Sequence, residues 1–421
     1  MNPKLFTSLI FLGVYGFLIF SHKRRSLIAW IGVSVLLLFG ILRPLSLLAY
    51  IDWNVLGIFW GTLVISELFS RSKAPARIGE LILSHTPNVG WAIISLSFFS
   101  GLISAFVENV ATVLILAPVA LEVSRRLKVS PVPFIIGISL SSNLQGSATL
   151  VGDPPSMILA SAASLKFNDF FFFRGRPNLF FAVELAALSS LLVLYLAFRG
   201  EKRPVEKVSP EKVKSYFPSL LLVGLIITLA LSSLLRIEFP YLLGGICVGF
   251  GIIGMVWSAF SKMEKFSFVY DSDWDTFFFL AGIFSLVGGL NEAGVLHLLA
   301  NWIGSLASGG LFLTYIILIS FSVLISGFVD NVPFFTAMVG VIKALSLSFG
   351  FSPYLLLFGT VVATTVGGNI TPIGASANIV GVGILRREGY RVSFLDFVKI
   401  GLPFSLVATL VGCGFLWLIW H

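Results

Sequence analysis

Apolar runs long enough to cross about 30 Å of hydrocarbon recur from one end of this 421-residue chain to the other. The runs are continuous, whereas the strands of a membrane β-barrel alternate apolar and polar residues. Charged residues make up only 11% of the sequence, against roughly 25% in an average soluble domain. The sequence therefore predicts an all-α polytopic membrane protein whose surface contacts the lipid bilayer along most of its length.

Several other classes of protein have little support in the sequence. The net charge of +8 does not indicate nucleic acid binding, because basic residues in a membrane protein report on which side the loops lie. Four scattered histidines and two distant cysteines, Cys247 and Cys413, indicate no metal site and no disulfide framework. No GxxxxGK[ST] motif and no nucleophile–base constellation are present. We therefore expect neither an enzyme nor a bound cofactor.

About ten apolar segments predict transmembrane helices, and two longer blocks do not fit a single span. The ten segments are Leu5–Phe20, Leu27–Leu48, Trp53–Phe69, Phe134–Ala163, Asn178–Phe198, Tyr216–Leu235, Tyr241–Phe260, Trp274–Leu290, Tyr354–Leu385 and Phe397–Trp420. The two blocks, 89–121 and 311–345, each carry a polar pair in the middle. Each block therefore predicts a re-entrant hairpin that enters the membrane and turns back.

The basic residues agree with this arrangement. If both blocks are re-entrant, most of the 28 Lys and Arg residues fall in six loops on one side of the membrane, the first of which holds Lys23, Arg24 and Arg25. Such loops are cytoplasmic under the positive-inside rule. We therefore expect a multi-pass protein of the plasma (inner) membrane, with both termini outside and the polar linker 199–215 in the cytoplasm.

The two halves of the chain repeat each other at an offset of 222 residues. "SGLISAFVENVAT" (Ser100–Thr112) matches "SVLISGFVDNVPF" (Ser322–Phe334), and "GSATLVG" (Gly146–Gly152) matches "GNITPIG" (Gly368–Gly374). The first half begins outside and the second inside, which predicts inverted-topology repeats, a common plan of transporters.

The predicted domains follow from this repeat. The first repeat covers 1–198, with a hairpin at 89–121 and a broken helix at 134–163. The linker is 199–215. The second repeat covers 216–421, with a hairpin at 311–345 and a broken helix at 354–385.

Polar residues within the apolar blocks are the candidate ion-binding groups. A hairpin tip or a helix break brings helix ends together, so backbone carbonyls suit Na⁺ and N–H groups suit anions or hydroxyls. A carboxylate at this depth is costly unless it is paired, protonated or bound to an ion. We therefore expect substrate or ion binding, with Na⁺ or H⁺ as the coupling ion, at Glu108, Asn109, Thr112, Asn143, Gly146, Ser147, Thr149, Asp153, Asp330, Asn331, Thr365, Gly368, Asn369, Thr371 and Asn378.

A plain structural role competes with this interpretation. Asp and Asn often start helices, so each hairpin tip could be a helix cap alone. Asp153 lies in "GDPP", which is typical of a cap followed by Pro in the first helical turn, and Ala375 occupies the equivalent position of the second half. Asn143 and Asn369 are not equivalent in the repeat, so the sequence gives each of them only individual support.

Four motifs carry a family resemblance: "SAFVENVATVLILAPV", "GSATLVGDPPSMI", "FVDNVPFFTAM" and "GGNITPIGASANIVGVGI". They resemble the ion transporter superfamily, in particular its arsenite permease / sodium–proton antiporter branch, which includes arsenical pump membrane proteins and P-protein-like chains. The likeness runs from about Asp52 onward. It implies a homodimer with scaffold and transport domains, elevator-like movement and binding sites at the tips and breaks. Whether a separate soluble ATPase docks on the cytoplasmic loops stays open.

The expected function is a secondary active transporter driven by an ion or proton gradient, with several substrates left open. Arsenite is a neutral trihydroxide near pH 7, which amides and hydroxyls can hold, so an arsenite-type or inorganic anion permease is the first hypothesis. A sodium–proton antiporter is the second, and a passive ion channel is the alternative of another class. Dicarboxylate relatives usually carry Ser-Asn-Thr at the tips. The acids at Glu108 and Asp330 instead disfavour a di- or tricarboxylate, since fixed negative charges repel it.

Overall fold

The computed structural model describes residues 3–20, 24–205, 212–235, 239–261, 273–306 and 310–421. Several basic residues of the predicted cytoplasmic loops, Lys23, Lys207, Lys262 and Lys265, lie outside the described residues, as does part of the linker 199–215.

The described residues form nineteen α-helices and one short β-hairpin. The helices of the first half are α1 (Pro3–Phe20), α2 (Arg25–Leu38), α3 (Pro44–Tyr50), α4 (Trp53–Arg71), α5 (Ala74–Ser84), α6 (Val89–Ser104), α7 (Asn109–Leu127), α8 (Val132–Gly146), α9 (Pro154–Ala162) and α10 (Leu179–Phe198). Those of the second half are α11 (Phe217–Leu234), α12 (Leu242–Phe260), α13 (Trp274–Glu292), α14 (Val295–Leu306), α15 (Leu311–Ser326), α16 (Asn331–Phe349), α17 (Pro353–Gly367), α18 (Ser376–Arg387) and α19 (Phe394–Trp420).

A short ordered loop joins α9 to α10. It contains a 3₁₀ turn at Phe167–Phe170 and two antiparallel strands, β1 (Phe172–Phe173) and β2 (Arg176–Pro177).

Seven helices of the described residues are long and apolar enough to cross a membrane alone: α4, α10, α11, α12, α13, α16 and α19. The other apolar segments are divided into shorter helices. In each half a hairpin has two arms, α6 and α7 or α15 and α16, and a following segment is broken into α8 and α9 or α17 and α18. The order of these elements is the same in both halves.

One predicted span is wrong. The segment Leu27–Leu48 was expected to be a single helix, but α2 ends at Leu38 and α3 begins only at Pro44. Gly40 between them has a φ of +67°, a left-handed conformation that interrupts a helix, and Pro44 occupies the first turn of the next helix.

The structure also contains two helices that the spans leave out, α5 and α14. Arg77, which follows the basic residues Arg71 and Lys73 in the sequence, belongs to α5. Each of the two helices precedes a hairpin and packs against it, α5 against α6 and α7, and α14 against α15 and α16. Because they are short and one-sided, their apolar residues did not form a run of membrane-spanning length.

The helices form two bundles. The paired-helix bundle consists of α1, α2, α4, α11, α12 and α13, in which α2 packs along α13 and α12 packs along α4. The hairpin bundle consists of α5–α10 and α14–α19, with α8 against α6, α7 and α18, and α19 against α10 and α17. Each half of the sequence therefore contributes a helix that pairs with the other half.

Small residues allow the close pairing in the first bundle. A Cβ added to Gly61 on α4 would lie 2.1 Å from the carbonyl oxygen of Cys247 on α12. Gly282 on α13 lies at the equivalent repeat position and faces Ala29 on α2. Close helix contacts in membranes are typically built from such residues.

Candidate functional site

A polar cavity of about 40 Å³ lies where the two hairpin tips meet. A water molecule needs roughly 10–15 Å³ of such a volume, so the cavity has room for about three groups of that size. Six of the predicted site residues line it: Glu108, Asn109, Asn143, Asp153, Asp330 and Asn331. The structure thus brings the two tips and both helix breaks of the sequence analysis to one place, the second break through Ala375, Ser376 and Ala377.

The acid of each tip caps a helix and lines the cavity at the same time. The Glu108 carboxylate accepts a hydrogen bond from the backbone N–H of Ala111 at 2.8 Å, at the start of α7. The Asp330 carboxylate accepts one from the N–H of Val332 at 3.1 Å, at the start of α16. A helix N-terminus offers free N–H groups to a carboxylate, so the two carboxylates that line the cavity also cap α7 and α16.

Asn143 connects the two tips. Its side-chain Oδ1 accepts hydrogen bonds from the Nδ2 atoms of Asn109 and Asn331, each at 3.3 Å. Its Nδ2 donates to the backbone oxygen of Thr365 at 2.8 Å and to Oδ1 of Asn369 at 3.1 Å. One buried amide therefore bonds both tips and the second helix break. The two asparagines that are not equivalent in sequence, Asn143 and Asn369, bond directly to each other.

Hydroxyl groups orient the tip asparagines in the same way in both halves. Ser104 donates to Oδ1 of Asn109 at 2.9 Å, and Ser326 donates to Oδ1 of Asn331 at 2.8 Å. Each tip amide therefore has its oxygen held and its nitrogen directed at Asn143.

The threonines of the breaks attach these segments to the hairpins. Thr149 donates to the backbone oxygen of Ala105, and Thr371 donates to that of Gly327. Both acceptors immediately follow the first arm of a hairpin, so each break is hydrogen-bonded to the hairpin of its own half.

The remaining predicted residues do not line the cavity but form hydrogen bonds to backbone carbonyls near it. Asn369 donates to the backbone oxygen of Leu140 at 2.8 Å, and Asn378 donates to that of Gly368 at 2.9 Å. Three hydroxyls bond carbonyls of their own segments: Thr112 that of Glu108, Ser147 that of Leu144 and Thr365 that of Val361. Their side chains stabilise local backbone and are directed at no common point.

Two glycines set how closely the tips approach the breaks. A Cβ added to Gly146 would lie 2.3 Å from Oδ1 of Asn109, and one added to Gly368 would lie 2.6 Å from Oδ1 of Asn331. A Cβ cannot lie so close to an oxygen, so a side chain at either position would displace the tip amide.

Asp153 differs from its repeat counterpart. Its Oδ1 accepts a hydrogen bond from the N–H of Ser156 at 3.0 Å, which caps α9, whereas Ala375 gives α18 no side-chain cap. Its Oδ2 is buried and has no hydrogen-bond partner among the described residues. Asp153 therefore caps α9 through Oδ1, while its Oδ2 has no hydrogen bond from the described residues beside the cavity.

Four polar lining residues were missed by the sequence analysis: Arg25, Asp273, Thr276 and Ser376. Arg25 was placed in a basic loop, and that assignment is wrong. It is the first residue of α2 and its Nη1 donates to Asp330 and to Ser376, both at 2.9 Å. The sequence offered one weak signal, since Asp273 lies in "DWD", which matches the "DWN" at Asp52. Nothing local distinguished Arg25 from the two basic residues before it.

The cavity is strongly acidic. Four carboxylates line it, those of Glu108, Asp153, Asp273 and Asp330, against the single guanidinium of Arg25. A cleft with one sign of charge and low-dielectric walls concentrates counter-ions of the opposite sign. Electrostatics at this site therefore favour a cation or a proton over a free anion.

Two repeated sets of hairpins and broken helices surround a polar cavity, an arrangement that is common among membrane transporters. Solved structures of transporters share the fold. The YdaH transporter of Alcanivorax borkumensis aligns with a TM-score of 0.61 and 16% identity, over 99% of this chain and 98% of that one. MtrF of Neisseria gonorrhoeae aligns with a TM-score of 0.55 and 14% identity, over 100% and 95%. The predicted all-α polytopic fold is thereby confirmed.

The chain belongs to the CitMHS family, described as citrate transporter, whose profile matches residues 15–355. The uncharacterized transporter Rv2685 of Mycobacterium tuberculosis is 30% identical over 375 residues, which cover 88% of this chain and 87% of that protein. The human P protein is 24% identical over 492 residues, covering 97% of this chain and 59% of the P protein. Membership of the ion transporter superfamily is thus confirmed, whereas the arsenite permease branch stays a prediction.

Proposed function

We propose that this protein is a secondary active transporter in which the carboxylates of Glu108, Asp153 and Asp330 bind the coupling cation, Na⁺ or H⁺. The observation that carries the proposal is the composition of the cavity, with four carboxylates and one guanidinium around about 40 Å³. Carboxylates crowded in a small space at membrane depth remain charged only when cations compensate them, and otherwise they take up protons. Either response couples the site to an ion gradient.

The net negative charge of the cavity also restricts which classes of substrate it can bind. A free inorganic anion would meet a net negative cavity, so that part of the first hypothesis is disfavoured. A neutral metalloid hydroxide such as arsenite would not be repelled, and the second N–H of the Asn109 amide and that of the Asn331 amide can each bond its hydroxyls. Citrate, which the family description suggests, would need cations or protons to neutralise it. We therefore propose a substrate that enters neutral or charge-compensated, with sodium–proton exchange as the second candidate.

The division into two bundles supports alternating access by an elevator-like movement. The amides of Asn109, Asn143, Asn331 and Asn369 bond one another within the hairpin bundle. Arg25, Asp273 and Thr276 approach the same cavity from the paired-helix bundle. We propose that the hairpin bundle moves as one body and carries the cavity past the paired-helix bundle, in a homodimer of the plasma membrane.

A passive channel is disfavoured by the same bonds. Asn143 joins the two tips directly, through hydrogen bonds of 3.3 Å on either side. A channel would need these amides to separate and stay apart while ions pass. A separate soluble ATPase remains a hypothesis that rests on the family resemblance alone.

Flux measurements in proteoliposomes test the proposal. We expect uptake of citrate or arsenite by the wild type only when an inward Na⁺ or proton gradient is imposed, or exchange of Na⁺ for H⁺ without either substrate. Glu108→Gln and Asp330→Asn should each lower gradient-driven flux at least tenfold, because the amides cannot compensate a bound cation. The matched control is Glu122→Gln on the same helix as Glu108, whose carboxylate pairs with Arg126 at the protein surface. Unchanged coupling in both site variants, or a steady current without a gradient of the second ion, would contradict it.

A further inference from the structure

One hydrogen-bonded ion pair joins the two bundles at the cavity. The Arg25 guanidinium, at the start of α2 in the paired-helix bundle, lies 2.9 Å from the Asp330 carboxylate at the tip of the second hairpin. The same Nη1 bonds the Ser376 hydroxyl of α18 at 2.9 Å. Both partners belong to the hairpin bundle, so any movement of that bundle past α2 must break these bonds.

The Arg25–Asp330 pair has no counterpart in the other half of the repeat, among the residues that the structure describes. The backbone N–H of Ser26 donates to Asp275 at 3.3 Å, and that of Gly244 donates to Asn54 at 2.8 Å. Asn54 and Asp275 are equivalent, since they follow Asp52 and Asp273 by two residues. Ser26 therefore corresponds to Gly244, and Arg25 corresponds to the residue before it, which is Leu243.

The two tip acids consequently differ in their partners. Asp330 has the Arg25 guanidinium, whereas Glu108 forms no ion pair in the part of the chain that the structure describes. The helix that corresponds to α2 offers the uncharged Leu243 instead. Glu108 and Asp330 are thus equivalent in the repeat, but of the two Asp330 is the one that pairs with a guanidinium among the described residues.

Arg25 also has contacts within its own bundle. Its Nη2 donates to Thr276 at 3.1 Å, its Nε lies 3.9 Å from the carboxylate of Asp275, and its guanidinium lies 5.5 Å from the centre of the Phe279 ring. All three belong to α13. When Asp330 leaves, the guanidinium keeps a carboxylate and an aromatic face, so it does not become an isolated buried charge.

We propose that Arg25 is a tethered cation that occupies the cation position beside Asp330, and that the coupling cation must displace it to bind there. This inference rests on the proposed function and adds a competitor at the same site. A cation or proton that neutralises Asp330 removes the attraction for Arg25 and so releases the hairpin bundle from α2. Glu108 and Asp153, which have no such competitor, are the positions that a cation reaches first.

The charged and titratable groups around Asp330 come from five elements. They are Arg25 of α2, Asp273 and Asp275 at the start of α13, Glu108 at the start of α7, Asp153 at the start of α9 and Tyr15 of α1. Arg25 is the one cation among them. Removing Arg25 therefore raises the affinity of the surrounding carboxylates for an external cation or a proton.

Thermal unfolding of the purified full chain in detergent measures this competition. One titration adds Na⁺ at fixed pH, with choline chloride holding the ionic strength constant, and a second varies pH at fixed Na⁺. In whichever titration stabilises the wild type, we expect Arg25→Gln to move the midpoint to a cation concentration at least tenfold lower. Arg25→Lys, which keeps the charge, should stay within about threefold of the wild type. Arg125→Gln is the control, because Arg125 pairs with Glu388 at the surface.

The double variant Arg25→Gln/Asp330→Asn separates competition from a general loss of structure. It removes both charges together, and we expect its midpoint to equal that of Asp330→Asn alone. An unchanged midpoint in Arg25→Gln, or an equal shift in the Asp330→Asn background, overturns the proposal. If Arg25→Gln does not fold, the double variant decides the question, because its midpoint should equal that of Asp330→Asn alone and a lower midpoint overturns the proposal. A wild type that neither titration stabilises would instead count against the proposed function.

Discussion

Asn143→Leu should destabilise the protein by about 2–4 kcal/mol and abolish transport, because four buried hydrogen bonds end on this one side chain. The leucine has a similar branched shape, but it leaves the amides of Asn109, Asn331 and Asn369 without their shared partner. Both hairpin tips then lose their fixed position at the cavity. The measurements are the melting temperature in detergent and gradient-driven flux in proteoliposomes.

Gln145→Met is the matched control for this prediction. Gln145 is also a buried amide, two residues further along α8, and neither its nitrogen nor its oxygen has a hydrogen-bond partner among the described residues. Replacing it by an apolar side chain of similar length should leave stability unchanged or raise it, since no bond is lost. Equal melting temperatures for Asn143→Leu and the wild type would show that the asparagine network does not hold the tips.

Gly146→Ala and Gly368→Ala should each destabilise the protein by about 1–3 kcal/mol and reduce transport severely. The new methyl group would overlap the side chain of Asn109 or Asn331, at 2.3 Å and 2.6 Å from the amide oxygen. The tip must then move away from the break, and the carboxylate next to it moves as well. Melting temperature and flux again provide the readout.

Gly249→Ala is the control for the glycine variants. It lies within α12, where an added Cβ would meet no atom within 4 Å. Alanine favours a helix over glycine by up to about 1 kcal/mol, so this variant should be neutral or slightly stabilising. If Gly146→Ala changes the melting temperature and the flux as little as Gly249→Ala does, the close contact between tip and break is not needed for transport.

The tips could be predicted from sequence because their signal is local and repeated. An acid followed by Asn is conspicuous within an apolar block, and its recurrence at Glu108 and Asp330 removes most of the ambiguity of a single cap. The structure brings both pairs to one cavity. The caps and the cavity groups turned out to be the same carboxylates, so the two interpretations were not exclusive.

The role of Arg25 could not be predicted because it depends on distant pairing. Arg25 reaches Asp330 through the packing of α2 along α13, two helices about 250 residues apart in sequence. Its neighbours Lys23 and Arg24 are also basic, which made a loop the simplest interpretation. The bond between Asn143 and Asn369 was hidden for a related reason, since equivalence in the repeat does not indicate which residues face each other.

We expect the cavity carboxylates to bind the coupling cation. The most direct test records transient currents from protein adsorbed on a solid-supported membrane after a Na⁺ or pH jump without substrate. The wild type should give a saturable charge displacement for one of the two jumps, and the triple variant Glu108→Gln/Asp153→Asn/Asp330→Asn should give at least tenfold less charge. A displacement of equal size in the triple variant would contradict the account.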